Sequence, residues 1–567
     1  MLRRRASWLG TTALLGLALL AGLNTNIIRG QDPSPPPKAE EAVKVGDPPT
    51  SSEAPTPTPP PVLPAPLGPA PKGDSTGGSY AGEGASTTAA LTKDGDKVTI
   101  ETLAKDLKMV RIGVNIIWTL SAAFLVMFMQ SGFALLETGL TRQKNVAHTM
   151  AMNFAVYAIG ILSFYFVGFG IMAGGWGPVV AFDGPNVLDK MFTFEFMGKP
   201  FDLFGYKGFA LTGDTNDASV LALFLFQMVF MDTAATIPTG ALAERWKFAG
   251  FCLFSVFLTS IIYPVYGCWV WAGGWLADLG VNYGLGNGHL DFAGSSVVHM
   301  TGGITALVTA KLLGPRIGKY NKDGSANAIP GHNIPMVVLG TLILAFGWFG
   351  FNTGSTLAVT DLRISSVAVC TMLATAAGCS TSLLYMWIVY GKPDPTMGCN
   401  GLLAGAVAIT APCAYVSPLA AVIIGALAGI LVVWSVFFVE RVLKIDDPVG
   451  AVSVHGVCGA LGCLCLGLFA NGEYGAGVNT VTTAPLGLFY GGGTGQFTAQ
   501  CIGVLANILW VAPTAAIFFL ITGAIVGNRA DARAEIEGLD IPEMGVIGYV
   551  NEDPIEVTNA ARSLLGS

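Results

Sequence analysis

The sequence predicts an all-α protein that crosses a membrane many times. Of its 567 residues, 52% are hydrophobic and only 12% are charged, about half the charged share of a soluble globular protein. The apolar residues fall into many blocks of roughly 17 to 28 residues, each long enough to cross about 30 Å of hydrocarbon. The chain is therefore expected to be polytopic, and soluble function classes are excluded.

Eleven of these blocks follow residue 110. An odd number of spans places the two ends of the chain on opposite sides of the membrane. The predicted spans are 111–135, 150–174, 218–240, 249–277, 296–313, 334–356, 365–390, 400–414, 418–439, 452–471 and 498–526.

Basic residues set the expected orientation, because Lys and Arg accumulate in cytoplasmic loops. One alternating set of loops holds most of them, and the opposite set holds few, chiefly Lys190, Lys199, Lys207 and Arg363. The amino end is therefore expected outside and the carboxyl end in the cytoplasm, in a multi-pass protein of the inner (plasma) membrane. The basic-rich set contains Arg142, Lys144, Arg245, Lys247, Arg316, Lys319, Lys322, Lys392, Arg441, Lys444, Arg529 and Arg533.

The amino-terminal region divides into two segments. Residues 1–30 start with three arginines and a short apolar run, which is typical of a signal peptide, although a retained first helix is the competing interpretation. Residues 31–95 are rich in Pro, Ala and Ser and cannot bury a core, so they are expected to be a disordered extracytoplasmic segment. Residues 96–527 then form the predicted membrane domain, and residues 528–567 a cytoplasmic tail.

Ten cysteines, all after residue 250, lie mostly in apolar blocks. Their spacing matches neither a zinc site nor a secreted disulfide framework, so they are interpreted as packing residues. No phosphate loop, cofactor motif or intramembrane catalytic set is evident. The sequence therefore predicts neither an enzyme, a cofactor nor a nucleic-acid partner.

Two segments repeat one pattern, in which a histidine follows an aspartate by eight positions. Asp291 precedes His299 at span five, and Asp447 precedes His455 at span ten. The predicted orientation has these spans entering the membrane from opposite sides, which indicates an inverted repeat of spans one to five and six to ten. Eight helical residues rise about 12 Å, so both histidines are expected near the midplane.

Two other interpretations of these histidines remain open. Each imidazole can be a satisfied core residue of its own helix, although small neighbours such as Gly302, Gly303, Gly456 and Gly459 favour close approach of the helices. A metal site is disfavoured, because no carboxylate is expected at the same depth. Asp291 and Asp447 are expected to cap the two helices, a structural role near the pore.

At these motifs the chain resembles the ammonium transporter (Amt/Mep/Rh) family, and its bacterial Amt branch in particular. The resemblance covers about residues 111 to 549 and implies the Amt-like fold. The motifs that support it are Asp291 to His299, Gly347-Trp-Phe-Gly-Phe-Asn-Thr-Gly-Ser355, Asn400 to Cys413, Asp446 to Gly459, Phe226 to Phe230 and Gly240 to Arg245.

The resemblance implies a role for each matching residue. Phe230, Trp271 and Ser355 would recruit ammonium at an outer site, with Trp269 as the rival of Trp271. Phe230 and Phe351 would stack as a gate below that site. His299 and His455 would line the pore as twin histidines beside Trp348, and Glu137 with Arg142 would pair helices. The implied function is ammonium transport, with deprotonation of ammonium, conduction of ammonia through an apolar pore and net movement of charge.

Partners also follow from the resemblance. The family organisation implies a homotrimer in membrane lipid, and residues 537–549 resemble the tail that couples subunits, with a PII-type signalling protein as a partner at the cytoplasmic face. Met544 and Gly548 depart from that tail pattern. An ammonium sensor built on the same fold is the alternative function, and a gas channel of the Rh branch is disfavoured by Trp271 and Ser355.

Overall fold

The protein is a bundle of long helices. A computed structural model of the chain describes residues 100–474 and 478–549; the predicted signal peptide (1–30), the segment 31–95 and the last part of the tail lie outside them. Eleven principal helices occur in these described ranges. They are α1 Ile100–Leu140, α2 Gln143–Ala173, α3 Ala218–Leu242, α4 Phe248–Trp271, α5 Ser295–Leu313, α6 Ile334–Thr353, α7 Arg363–Tyr390, α8 Pro395–Thr410, α9 Pro418–Arg441, α10 Val452–Phe469 and α11 Gly495–Val526.

The predicted number of eleven spans is not confirmed. Within the described residues, ten helices are long and apolar enough to cross a membrane. Helix α8 has 16 residues, which corresponds to about 24 Å, less than the hydrocarbon thickness of about 30 Å. Because most of α8 from Gly398 to Thr410 is buried, protein rather than lipid surrounds it.

Helix packing places α3, α5 and α10 at the centre. Helix α3 packs against α1 and α5, helix α10 against α8 and α11, and α7 against α8 and α9. Helix α3 is buried along almost its whole length, whereas the other long helices expose apolar side chains such as Phe128, Leu342 and Trp434. Exposed apolar side chains on the outside of such a bundle are suited to lipid.

Five helices contain a wider, π-helical turn: Phe164–Gly168, Leu258–Ile262, Ser295–Met300, Phe349–Thr353 and Val452–Val457. Three candidate residues, His299, Phe351 and His455, lie in these turns. Since π-helical turns are rare and occur frequently at functional sites, they mark the same region that the repeated aspartate and histidine pattern predicts.

A β-hairpin between α2 and α3 was not predicted from the sequence. Strands β1 (Met191–Phe196) and β2 (Lys199–Gly205) pair antiparallel, and both turn residues, Met197 and Gly198, have positive φ, as a two-residue hairpin turn requires. Phe201 of β2 stacks on Trp275 at 4.9 Å. We call the end of the bundle with this hairpin the hairpin end.

The opposite, tail end is held together by buried ion pairs. Arg316 donates to both oxygens of Asp446 at 2.8 and 2.9 Å and to Glu244 at 3.2 Å, and Glu244 also binds Arg142. Burial alone would raise the pKa of Asp446, but the hydrogen bonds and charge of Arg316, with the charge of Arg245, outweigh it and hold that pKa below its usual value. The segment after α11 packs here, where Glu535 accepts from the backbone N–H of Ile317.

Candidate functional site

The predicted outer residues line one pocket at the hairpin end of the pore. The pocket has a volume of about 140 Å³, and none of its lining residues is charged. It brings together Phe230, Trp271 and Ser355 with five residues that were not predicted: Trp176, Phe226, Gln227, Phe292 and Leu357.

Hydrogen bonds orient two of the predicted residues. The indole N–H of Trp271 donates to the backbone oxygen of Asp291 at 2.7 Å, which fixes the ring beside the start of α5. The hydroxyl of Ser355 donates to the backbone oxygen of Phe351 at 2.8 Å. Its single proton is therefore in use, and the lone pairs of the oxygen are free to accept a hydrogen bond.

Trp269, the rival of Trp271, lies elsewhere. Its indole N–H donates to Leu203 in the hairpin at 2.7 Å, and its ring packs against Trp275 and Trp510. It is not among the residues that line the pocket, so the geometry places Trp271 there instead.

Two phenyl rings close the floor of this pocket. The rings of Phe230 and Phe351 stack with centroids 4.1 Å apart and planes at 27°, and both side chains are buried. Phe226 packs on Phe230 at 4.6 Å. The contact leaves no opening for a hydrated ion in this conformation.

The two histidines meet directly beyond the phenyl pair. The Nδ1 atoms of His299 and His455 are 3.2 Å apart, a hydrogen bond in which one ring donates and the other accepts. The ring of His299 packs against both Phe351 at 5.3 Å and Trp348 at 5.4 Å, and these two rings also contact each other at 5.8 Å. Its Nε2 is buried and has no partner among the described residues, so this nitrogen can bond a molecule that passes.

Trp348 is fixed by its own hydrogen bond. Its indole N–H donates to the hydroxyl of Thr410 at 3.0 Å, at the end of α8. The short helix α8 thus positions the ring that flanks His299.

The aspartates cap the helices that carry the histidines. Asp291 accepts the backbone N–H groups of four consecutive residues, 294–297, at 2.7–2.9 Å. Asp447 accepts three within residues 449–452 at 2.8–3.3 Å. The first turns of α5 and α10 are thereby held, and the histidines eight residues beyond each aspartate meet.

Close approach of α5 and α10 depends on glycine. A Cβ built on Gly303 would lie 2.1 Å from the backbone nitrogen of Gly456, so no larger residue fits without a shift. This crossing lies four residues after His299 and one after His455, and it holds the two rings at bonding distance.

Comparison with known proteins agrees with this geometry. The model of the Ammonium Transporter Family matches residues 117–549. Ammonium transporter Amt2 of Archaeoglobus fulgidus is 44% identical over 442 residues, which cover 77% of this chain and 88% of the relative. This chain belongs to the ammonium transporter family. Proteins of the family are transporters rather than enzymes, and the chain is accordingly a multi-pass membrane protein whose transport substrate is ammonium or ammonia.

Solved structures resemble the chain as well. A protein described as "Sensor Amt Protein" is 36% identical with a TM-score of 0.65, covering 77% of this chain and 99% of that one. Saccharomyces cerevisiae Mep2 is 27% identical with a TM-score of 0.61, covering 74% of this chain and 88% of that one. These likenesses agree with the predicted Amt-like fold.

One polar group at the outer pocket of this transporter was not predicted from the sequence. Gln227 lines the outer pocket, and its amide oxygen is buried without a hydrogen-bond partner among the described residues. The sequence did contain a signal for Gln227, since a polar amide side chain is unusual in an otherwise apolar membrane span. Trp176 and Phe292 come from loops, and no spacing rule would have placed them in the pocket.

Proposed function

We propose that this transporter recruits ammonium at Trp271, Phe230 and Ser355, removes one proton, and passes neutral ammonia between Phe230 and Phe351 to the histidine pair. The supporting observation is the order of three layers: an uncharged aromatic pocket, a stacked phenyl pair, and two imidazoles bonded through their Nδ1 atoms at 3.2 Å.

The chemistry of the pocket suits a small cation that must be released again. Aromatic rings attract a cation through their faces, and the free lone pairs of Ser355 accept one N–H of ammonium. A carboxylate there would bind the cation more tightly. The pocket lining has none, which favours exchange over retention.

The phenyl pair and the apolar pore select ammonium, which can cross as neutral ammonia, against metal cations such as potassium. A bare cation that leaves water for apolar surroundings loses its solvation at great cost, whereas neutral ammonia loses little. Ammonium can shed a proton and continue as ammonia. Potassium has no proton to shed, so it is rejected although its size is similar.

The histidine pair provides a separate route for the proton. In the proposed step an N–H bond of ammonium breaks in the outer pocket, and the released proton forms an N–H bond at the free Nε2 of His299, beyond the phenyl pair. The proton on Nδ1 of His299 then moves across the hydrogen bond to Nδ1 of His455. Ammonia and the proton cross separately, which makes transport electrogenic.

Currents on a solid-supported membrane test this function. Purified protein in liposomes is given ammonium and potassium pulses, and wild type is compared with the double variant His299→Ala, His455→Ala. His332→Ala is the control, since His332 bonds Tyr549 rather than the pore. We expect ammonium-specific currents that the double variant loses and the control keeps. Unchanged currents in the double variant would overturn the proton route.

A sensor is the second candidate function, favoured by the 36% identity to the protein described as a sensor. Wild-type protein that binds ammonium but gives neither current nor uptake of labelled ammonium would support the sensor and overturn transport by this chain. Ammonium uptake by the wild type decides for the transporter.

We further propose the organisation that the sequence predicts around this site. The amino end lies outside after cleavage of residues 1–30, the tail is cytoplasmic, and the protein forms a homotrimer in the inner membrane that a PII-type protein regulates. The basic residues at the tail end support this orientation. Cysteine labelling from either side of the membrane tests the orientation, and native mass spectrometry tests the trimer.

A further inference from the structure

A small internal cavity joins His455 to the buried carboxylate of Glu137. Three polar side chains line it: Glu137 from α1, Asn400 from α8 and His455 from α10. The rest of the wall is apolar, with Phe133 and Ile237 among its residues. The cavity lies on the side of the histidine pair away from the outer pocket, since His299 packs against Phe351 of the phenyl pair, whereas His455 packs against Phe133, which lines the cavity.

The cavity is suited to one water molecule. Its volume is about 20 Å³, and about 10–15 Å³ is needed to hold a water that also has two to four polar partners. The carboxylate, the amide and the imidazole supply three such partners. Since Nδ1 of His455 is engaged by His299, Nε2 is the nitrogen that remains for this water.

Glu137 is held by two side-chain donors from neighbouring helices. Its oxygens accept from Nδ2 of Asn153 at 2.7 Å and from the hydroxyl of Thr239 at 2.7 and 2.9 Å. These bonds stabilise a buried carboxylate that has no ion pair with any residue that the structure describes. They also join α1 to α2 and α3, since Asn153 lies on α2 and Thr239 on α3. Pairing of helices is the role expected for Glu137 from the sequence.

Thr239 allows the carboxylate to change its protonation state. Its hydroxyl lies within hydrogen-bonding distance of Glu137 and of the backbone oxygen of Thr236. Beside a charged Glu137 the hydroxyl donates to the carboxylate. After Glu137 gains a proton, the hydroxyl can turn to donate to Thr236 and accept from the carboxyl O–H, so both states are satisfied.

We propose that Glu137 accepts the proton that leaves His455, through one water in this cavity, and so forms the next step of the proton route. The Nε2–H bond of His455 breaks, the water passes a proton on, and an O–H bond forms at Glu137. Loss of that proton towards the tail end restores the carboxylate. The inference rests on the proposed function, since it requires that the histidines carry a proton apart from ammonia.

A second cavity shows where the proton can continue. It has a volume of about 30 Å³, lies towards the tail end, and is lined by Asp447, Ser453, Lys319 and Glu440. The amide of Asn400 lies against Gly450, which lines this second cavity. The loop at the start of α10 lines both spaces, the first through Val449 and Ala451 and the second through Gly450.

The test compares the charge moved with the nitrogen taken up. Proteoliposomes with wild type, Glu137→Gln or Glu137→Asp are assayed for current on a solid-supported membrane and for uptake of isotope-labelled ammonium, with leakage into empty liposomes subtracted. Glutamine keeps the shape but takes no proton. Asp232→Asn is the matched control, because Asp232 is equally buried at 2% exposure in α3 and does not line the cavity.

We expect Glu137→Gln to lower the charge moved per nitrogen at least about 10-fold, the scale of a lost proton-transfer group, while Glu137→Asp and Asp232→Asn keep the wild-type ratio. A Glu137→Gln protein with the wild-type ratio overturns the proposal, whether its total transport is unchanged or lower. If the charge moved and the nitrogen taken up fall in the same proportion, the ratio is unchanged and Glu137 has only a structural role.

A second variant decides the question if Glu137→Gln does not assemble. Asn400→Leu removes a polar partner of the water and leaves the hydrogen bonds of Glu137 in place. We expect the same fall in the ratio, and an unchanged ratio overturns the proposal. Failure of the proposed function is distinguishable, because in that case the wild type itself moves no charge with ammonium.

Discussion

His299 and His455 face each other through like atoms, with their Nδ1 nitrogens 3.2 Å apart. Two identical nitrogens can share a hydrogen bond only if one is protonated and the other is not. The two rings therefore differ in tautomer, and each transfer of a proton between them exchanges the roles of donor and acceptor.

This relationship predicts that the pair acts as one unit. His299→Ala and His455→Ala should each lower the ammonium current at least about 10-fold, and the double variant should lose little more, because either change removes the shared bond. Peak currents of the three variants at equal protein density measure this. Losses that add up as independent contributions would contradict a shared step.

The glycine crossing predicts an asymmetric effect of two similar substitutions. Gly303→Ala places a Cβ 2.1 Å from the backbone of Gly456, whereas Gly456→Ala places one at an ordinary 3.4 Å from Gly303. Overpacking against backbone costs about 1–3 kcal/mol. We expect Gly303→Ala to lower the thermal unfolding midpoint and the current, with Gly456→Ala as the milder control. Equal effects would contradict this account of the crossing.

The repeated aspartate and histidine spacing located the centre of the site because it depends on local geometry. An N-cap and a helical rise are set by neighbouring residues, so Asp291 and Asp447 could be assigned to caps before any tertiary information. The match to long ordered motifs added the aromatic residues. Trp271 and Trp269 differ by only two positions, and only the tertiary structure shows that Trp271 lines the pocket whereas Trp269 packs against Trp275 and Trp510.

Other features could not be predicted, because they depend on residues distant in sequence. The cavity of Glu137, Asn400 and His455 brings together three helices, and no single helix contains a signal for it.

The 191–205 hairpin was missed for another reason. Its alternating phenylalanines lie between spans, in a stretch read only for charge, although alternation of this kind is typical of a strand. Helix α8 was counted as a span on hydropathy alone.

The outer pocket predicts a contrast between the two tryptophans. Trp271→Phe loses the hydrogen bond to Asp291 and replaces the ring that attracts cations best, so the apparent affinity for ammonium should fall about 3- to 10-fold. Trp269→Phe also loses an indole hydrogen bond, but outside the pocket, and should leave that affinity unchanged. Concentration series of the ammonium current measure both. The reverse pattern would assign the recruitment role to Trp269.

The ion pairs at the tail end predict a large cost for one arginine. Arg316→Met leaves Asp446 and Glu244 buried with less compensation, and breaking a buried pair in this way costs about 3–5 kcal/mol. Arg533→Ala, which removes an exposed pair with Glu537, is the control and should have no measurable effect. Thermal unfolding in detergent compares them. Equal unfolding midpoints would show that Arg316 does not hold this end together.

A carboxyl group beside the hairpin predicts a pH dependence of stability. Asp278, half-buried in the loop after α4, has a pKa raised from 3.8 to about 6 by burial first, and then by the charge of Asp202 and a hydrogen bond with it. Between about pH 4 and 6 the folded state therefore binds more protons than the unfolded state does. Stability from this group is full below the ordinary pKa and is lost as the pH rises through the folded pKa.

Asp278→Asn should remove this contribution. Because the group is partly exposed, solvent screening limits the effect to about 1 kcal/mol or less. The measurement is the difference in unfolding midpoint between wild type and Asp278→Asn from pH 4 to 7, which cancels titrations common to both. We expect wild type to lose stability relative to the variant as the pH rises through this window. Asp214→Asn, at an exposed aspartate paired with Lys207, should lack this trend. A flat difference for Asp278→Asn would mean that burial and Asp202 together do not raise the pKa of Asp278.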